Sequence, residues 1–280
     1  MQLARGAVFA RDYRVEGPLA AGGMGSVHLV VQVSTGRKRA LKLMHPELAL
    51  NDDARRRFLL EARVGARIAS EHLVEVQAAG VDEDTGTPYI VMELLAGEDL
   101  ATRLERAGPL SSDDVRELFR QTCHAIGAAH AMGIVHRDLK PPNIFLAEHR
   151  RVDGPDFHVK VLDFGIAKLT QSTTTFRQGT VPGSMVGTPL WMAPEQAEAV
   201  PVTPAADVWA LGLILYTVVT GRLFWRTGNV EHAPIAEILR EVLLEEIASP
   251  ATRAKQQGVA FPEALAPIFA GSVVRDVTKR

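Results

Sequence analysis

Ile134-Val135-His136-Arg137-Asp138-Leu139-Lys140-Pro141-Pro142-Asn143-Ile144-Phe145-Leu146 sets charged and polar side chains, and a turn stiffened by two prolines, between two apolar runs. Flanks of this kind bury themselves and hold the loop, so the loop presents its charges. Val159-Lys160-Val161-Leu162-Asp163-Phe164-Gly165 then reads as a strand that ends on an acidic residue and a permissive glycine. Paired antiparallel, the two segments would place Asp138, Asn143 and Asp163 close together. Two carboxylates and an amide suit Mg²⁺, a hard cation that takes one or two protein carboxylates beside waters and phosphate oxygens.

The 280-residue chain is long enough for one large domain or two lobes, and 46% of it is apolar, enough for a sizeable core. Its net charge of −2 is spread over mixed signs, which leaves no electrostatic footprint for nucleic acid and suits a cytoplasmic protein. The single cysteine, Cys123, excludes an internal disulfide and is expected in the core. The beginning has no secretory pattern. The apolar run from Val208 to Val219 is too short for a membrane span and reads as a buried helix. The nine histidines show no paired metal-ligand spacing, and all but His136 read as surface or core residues.

Upstream, Tyr13 to Leu19 leads into Ala20-Ala21-Gly22-Gly23-Met24-Gly25-Ser26-Val27, with Ser34-Thr35-Gly36 as a turn and Arg39 to Met44 as the next strand. A dinucleotide fingerprint needs its glycines to open a helix, and these open a strand. The segment is therefore a hairpin lid whose amides can lie over phosphates. Lys42 sits on the following strand, where a solvated edge position is the ordinary alternative. Asn51-Asp52-Asp53 caps a helix carrying Phe58, Ala62, Ala66 and Ala69 on one stripe. Glu61 lies beside that stripe, facing either back to Lys42 or along the surface to Arg57, and Gly65 and Ala66 suggest a helix able to swing.

Residues 73–81 and 88–95 read as a strand pair, and composition turns helix-rich at Ala96-Gly97, dividing the chain into lobes 1–95 and 96–280. Ser111 and Asp114 open a helix that runs through Val115, Leu118, Phe119, Thr122, Ile126 and Ala129 to Gly133. Residues 148–156 form a polar hairpin tip. Residues 170–186 show no periodicity, which marks a functional or mobile loop. Thr203-Pro204 starts a helix with proline at its first position, whose Asp207 is expected to bond amides of the 134–146 loop. Amphipathic segments 235–247 and 262–277 follow.

His136-Arg137-Asp138-Leu139-Lys140-Pro141-Pro142-Asn143 with Asp163-Phe164-Gly165 resembles the catalytic and metal-binding loops of eukaryotic-type (Hanks-type) serine/threonine protein kinases, in a bacterial-like form. The resemblance covers about residues 13 to 280 and implies an α+β bilobal fold: a small antiparallel N-lobe sheet with one main helix, and a helical C-lobe whose last helix is missing here. It implies that Asp138 accepts the substrate hydroxyl proton, that Lys140 steadies the γ-phosphate with Thr188 bonded toward both, and that Asn143 and Asp163 hold Mg²⁺ or Mn²⁺. Lys42, paired with Glu61, would grip the α- and β-phosphates of ATP. Leu19, Ala20, Gly22, Gly25, Val27, Ala40, Met92, Glu93, Leu95, Asp99 and Phe145 would complete the nucleotide site. One departure stands out: Ala20 replaces the first glycine of the family's loop. On extended backbone its methyl costs little; in a left-handed conformation it would cost roughly 1–2 kcal/mol.

The resemblance also makes residues 163–195 an activation segment. Phosphate on Thr173, Thr174, Thr175, Thr180 or Ser184 would dock on Arg137, with a transient homodimer for autophosphorylation. His136, Phe164, Gly165, Asp207 and the pair Glu195–Arg280 would be structural. The expected activity is ATP-dependent phosphorylation of serine or threonine on proteins. Its rivals are a pseudokinase that binds nucleotide without turnover, and a small-molecule phosphotransferase. A longer natural protein would leave room for a membrane anchor.

Overall fold

Alternating apolar and polar residues from Tyr13 onward build strands, and the helical stripe after Asn51 builds the helix that covers them. The computed structural model describes residues 3–23, 25–149, 156–164, 189–198, 200–230 and 233–280. They fall into two units: residues up to Ala96 with Asp163 and Phe164, and Gly97–Leu162 with the described residues from Pro189 onward. Asp163 and Phe164 thus group with the first unit, although they lie far beyond residue 96 in sequence.

In the first unit β1 (Val8–Phe9), β2 (Tyr13–Gly22), β3 (Gly25–Gln32), β4 (Lys38–Met44), β5 (Val76–Val81) and β6 (Pro88–Glu93) form an antiparallel sheet in the order β1-β2-β3-β4-β6-β5. The strand β1 is too short to show alternation and was not legible in the sequence. The last strand stops at Glu93, short of the expected residue 95. Val15, Val30, Leu41, Leu43 and Val91 pack with Phe9 and Tyr13 on one face. Met44 and Ile90 pack on the other with Phe58 and Ala62 of α2 (Asp52–Gly65), which follows the single turn α1 (Pro46–Ala49). Asn51 caps α2 by accepting from the Ala54 amide at 3.0 Å. The helix ends at Gly65, so Ala66 and Ala69 leave the expected stripe and lie exposed, while Ile68 is buried.

Gly25 opens β3 directly against β4. A Cβ there would lie 1.9 Å from the Leu43 carbonyl oxygen, a backbone atom that cannot swing aside. Gly25→Ala should therefore part the two strands and cost about 1–3 kcal/mol, read as a lowered midpoint in thermal or denaturant melts. An unchanged midpoint would mean that the hairpin relaxes freely.

The second unit contains β7 (Gly97–Asp99), α3 (Leu100–Ala107), α4 (Ser112–Ala131), β8 (Ile144–Glu148) and β9 (Phe157–Val161), then α5 (Pro194–Ala197), α6 (Ala205–Thr220), α7 (Ile235–Leu243), α8 (Pro250–Gln256) and α9 (Ala266–Ser272). Its small sheet runs β7-β8-β9, with Ile144 opposite Val161 and Leu146 opposite Val159. Ser111 caps α4 by accepting from the Asp114 amide at 3.1 Å. Cys123, expected in the core, is exposed: Thr122, Ala125, Ile126 and Ala129 occupy the buried face, and position 123 falls outside that arc. Pro204 proves to be the residue before the first turn of α6. The mainly polar α8 carries no apolar stripe and escaped the sequence reading.

The helix α6 is apolar almost all round and is buried accordingly. Trp209 and Tyr216 on it meet Trp225, Phe224 and Phe269, with the Trp209 and Trp225 rings stacked 6.0 Å apart. A Cβ on Gly212 would lie 2.6 Å from Ser272 Cβ and 2.7 Å from Val273 Cγ2, so the glycine is what lets α9 approach. Among the described residues no helix is long and apolar enough to cross a membrane.

Candidate active site

Lys42 is on an inner strand, paired with β3 on one side and β6 on the other, and is not at a solvated edge. Its ammonium lies 3.1 Å from Glu61 Oε1 and 2.8 Å from Asp163 Oδ1, with the lysine and glutamate side chains 10% and 8% exposed. Phe58 and Ala62, packed on Met44 and Ile90, turn the adjacent Glu61 toward β4. Burial works to lower the Lys42 pKa, but the two carboxylates outweigh it and raise it above its ordinary value. The lysine is thus a permanent buried cation, held by two anions that come from elements far apart in sequence.

Beside it, the β2–β3 hairpin pairs Ala20 with Val27 and Gly22 with Gly25. Ala20 is extended; among the described residues, those with positive φ other than glycine are Ala10, Arg11 and Arg137. Its methyl therefore carries no left-handed strain. The His45 ring Nε2 donates to the Gly22 carbonyl oxygen at 2.8 Å and tethers the hairpin, a contact between residues 23 positions apart that no local pattern signals. Leu19 is exposed, Val27 half-buried and Ala40 buried opposite Met92. The Glu93 amide donates to the Glu75 carbonyl at 3.0 Å. Phe164 is buried.

In the second unit, the loop between α4 and β8 is held from beneath. Leu139, Ile144 and Leu146 bury its flanks, and Pro141 starts the turn Pro141–Asn143. The fully buried His136 donates from Nε2 to Leu162 O at 2.9 Å and accepts the Asp138 amide on Nδ1 at 3.3 Å, which sets its tautomer. Asp207, 1% exposed, accepts the His136 amide at 2.8 Å and the Arg137 amide at 2.9 Å. Arg137 has φ of 68°, so this carboxylate holds backbone that few residues other than glycine adopt.

Above that floor, Asp138 Oδ2 meets Lys140 Nζ at 3.1 Å and the Asn143 amide nitrogen at 3.2 Å. Asn143 Nδ2 also donates to Asp138 O at 2.7 Å. Its nitrogen committed, Asn143 has an amide oxygen left to accept. Asp163 is 44% exposed and uses Oδ1 for Lys42. Oxygen donors of this kind fit a hard divalent cation. Asp99, expected at the ribose, caps α3, accepting from the Ala101 and Thr102 amides and the Thr102 hydroxyl. Phe145 lies opposite Asp99 in the β7–β8 pair. Leu95 precedes that strand. Arg137 is partly buried, and burial lowers its pKa despite the opposing field of Asp207.

Farther out, Arg280 Nη2 donates to Glu195 Oε2 at 2.6 Å and Nη1 to Ala205 O at 3.1 Å, with the guanidinium 5.3 Å from the Trp209 ring centre. Two contributors were missed in the sequence. His130 Nε2 lies 2.7 Å from Asp207 Oδ2, and Gln196 donates to Arg137 O at 2.8 Å. No local pattern distinguishes either from an ordinary polar residue. Gly165, Thr173, Thr174, Thr175, Thr180, Ser184 and Thr188 lie outside the described residues.

Residues 13–277 match the protein kinase domain family. The chain is 41% identical over 229 residues to the serine/threonine-protein kinase Pkn1 of Myxococcus xanthus, covering 82% of this chain and 32% of that protein. It is 36% identical over 220 residues to the serine/threonine-protein kinase PknA of Mycobacterium tuberculosis, covering 78% of this chain and 48% of the relative. It therefore spans less than half the length of these relatives. In fold it is similar to the crystal structure of the Mycobacterium tuberculosis PknI kinase domain, with a TM-score of 0.71 and 24% identity over 100% of this chain and 94% of that one. A buried lysine between two carboxylates, a carboxylate loop anchored on an inner helix, and a family match over nearly the whole length agree with one another: this chain belongs to the protein kinase domain family.

Proposed function

We propose that the chain transfers the γ-phosphate of ATP to serine or threonine hydroxyls of proteins, a reading supported by its likeness to proteins named serine/threonine-protein kinases. The observation that carries this reading is the buried Lys42 held between Glu61 and Asp163. A lysine with no partner but solvent would not need two carboxylates on separate elements. In this reading Lys42 grips the α- and β-phosphates, and Asp138 orients the acceptor hydroxyl and takes its proton. Lys140, already at Asp138, adds charge beside the transferred group. Asn143 and Asp163 would hold Mg²⁺ or Mn²⁺, which neutralises phosphate charge when bound. By the resemblance, Leu19, Ala20, Gly22, Gly25, Val27, Ala40, Met92, Glu93, Leu95, Asp99 and Phe145 would contact the nucleotide.

Extended backbone at Ala20 weighs against one of the features that favoured a pseudokinase reading. Regulation is assigned to autophosphorylation at Thr173, Thr174, Thr175, Thr180 or Ser184 within a transient homodimer, with Arg137 receiving the phosphate. The test is incubation of the purified chain with ATP and Mg²⁺ or Mn²⁺, followed by mass spectrometry. Phosphate on serine or threonine, absent in Lys42→Met, is the expected result. Nucleotide binding without transfer under either metal would return the chain to the pseudokinase class.

A further inference from the structure

A pocket of about 320 Å³ opens in the second unit, lined by Arg226, Asn229, Arg253, Gln256 and Gln257. None of these residues belongs to the site described above. Most of the amides on its wall are spent internally: Asn229 Oδ1 accepts the Leu223 amide while Nδ2 donates to Leu223 O and Trp225 O. Gln257 accepts the Tyr216 hydroxyl and donates to Leu223 O. The amides of Asn229 and Gln257 are thus largely committed within the wall, and the charged groups left to face a ligand are the two arginines.

Arg253 is the unusual member. Its side chain is 5% exposed, yet its bonds are long for a buried guanidinium: 3.4 Å to Glu241 Oε1 and 3.3 Å to Gln256 Oε1. Its Nε has no hydrogen-bond partner among the described residues. The 2%-exposed Glu241 is already shared, accepting the Arg226 amide at 2.8 Å, the Thr227 amide at 3.0 Å and the Thr227 hydroxyl at 2.7 Å. Burial favours its neutral form, but these donors and Arg253 outweigh it and hold the carboxyl below the usual range. Glu241 therefore supplies a charge for Arg253 but little geometry. Arg226, 62% exposed, reaches Glu241 through Nε and Glu245 through Nη2, which leaves Nη1 uncommitted among the described residues.

Gln256 is exposed, and its amide oxygen sits on Arg253 Nη1 where a charged oxygen would bind better. We propose that this pocket is a binding site for a small oxyanion-bearing compound, a carboxylate or phosphate, whose oxygen displaces the Gln256 amide from Arg253 and whose second oxygen is met by Arg226. Two guanidiniums with forked donors and a neutral amide at the mouth favour such a group over a neutral ligand. The volume suits a small metabolite. Glu241 and Glu245 offset the two arginines, which limits the site to modest affinity.

The test is thermal melting of the purified chain with inorganic phosphate or succinate, against chloride at equal ionic strength. Either anion should raise the melting temperature. A response to phosphate alone or succinate alone supports the site and names the source. Gln256→Glu places a carboxylate of the chain's own where the ligand oxygen would go, so this variant should melt higher unliganded and lose the response. Gln256→Ala should keep it, and Arg226→Gln should weaken the fitted dissociation constant about tenfold, one charge-assisted bond's worth. A wild-type chain that responds to neither anion, or a Gln256→Glu variant that responds as the wild type does, would overturn the proposal. Neither outcome depends on phosphate transfer.

Discussion

Asp138→Asn should lower the rate of phosphate transfer by roughly 10²–10⁴-fold, the usual contribution of a positioned general base. An asparagine has the shape to meet Lys140 and Asn143, so the loop should stand, carried as it is by His136, Leu139 and Asp207. What disappears is the charge that orients the hydroxyl and the oxygen that takes its proton. Nucleotide affinity, measured by titration, should hardly change, because Asp138 is not asked to grip the phosphates. Unaltered turnover would remove Asp138 from that role, and loss of nucleotide binding would show that the loop had collapsed.

Arg280→Ala should destabilise the second unit by about 3–5 kcal/mol, the cost of stripping one partner from a buried ion pair. Glu195 and Arg280 side chains are 3% and 0% exposed, and Glu195 Oε1 already has no hydrogen-bond partner among the described residues. Without Arg280 the carboxylate would stand buried with no counter-charge, the Ala205 carbonyl would lose a donor, and the Trp209 ring would lose the cation above it. A double replacement, Glu195→Gln with Arg280→Met, should cost clearly less, since neither charge is then left behind. Denaturant unfolding of the two variants checks this. Equal losses would mean that packing on Trp209, and not the ion pair, sets the cost.

Glu61 shows where sequence reading reaches its limit. Helical spacing allowed a pair with Arg57 as readily as a turn toward Lys42, and packing of Phe58 and Ala62 on the sheet brought it to Lys42. His130 and Gln196 went unnoticed for the same reason, since they meet partners 77 and 59 residues away. Cys123 failed differently: its helix was legible, but a phase error of one residue moves a side chain by about 100° and out of the core. Arg253 lay on a helix with no apolar stripe to announce it.

Local order here was written in the residues themselves. Glycines that open a strand, the Asn51 and Ser111 caps and the apolar run of α6 depend on neighbours within a turn or two, so periodicity and capping chemistry sufficed to read them. Asp138, Asn143 and Asp163 were legible as candidate oxygen donors by type and spacing, whereas the expectation for Lys140 came from the family resemblance. Folding chose the partners that the residues left open, Glu61 for Lys42 and Glu241 for Arg253. A charge removed from water must find compensation wherever packing brings it, and distance along the chain carries no record of that meeting.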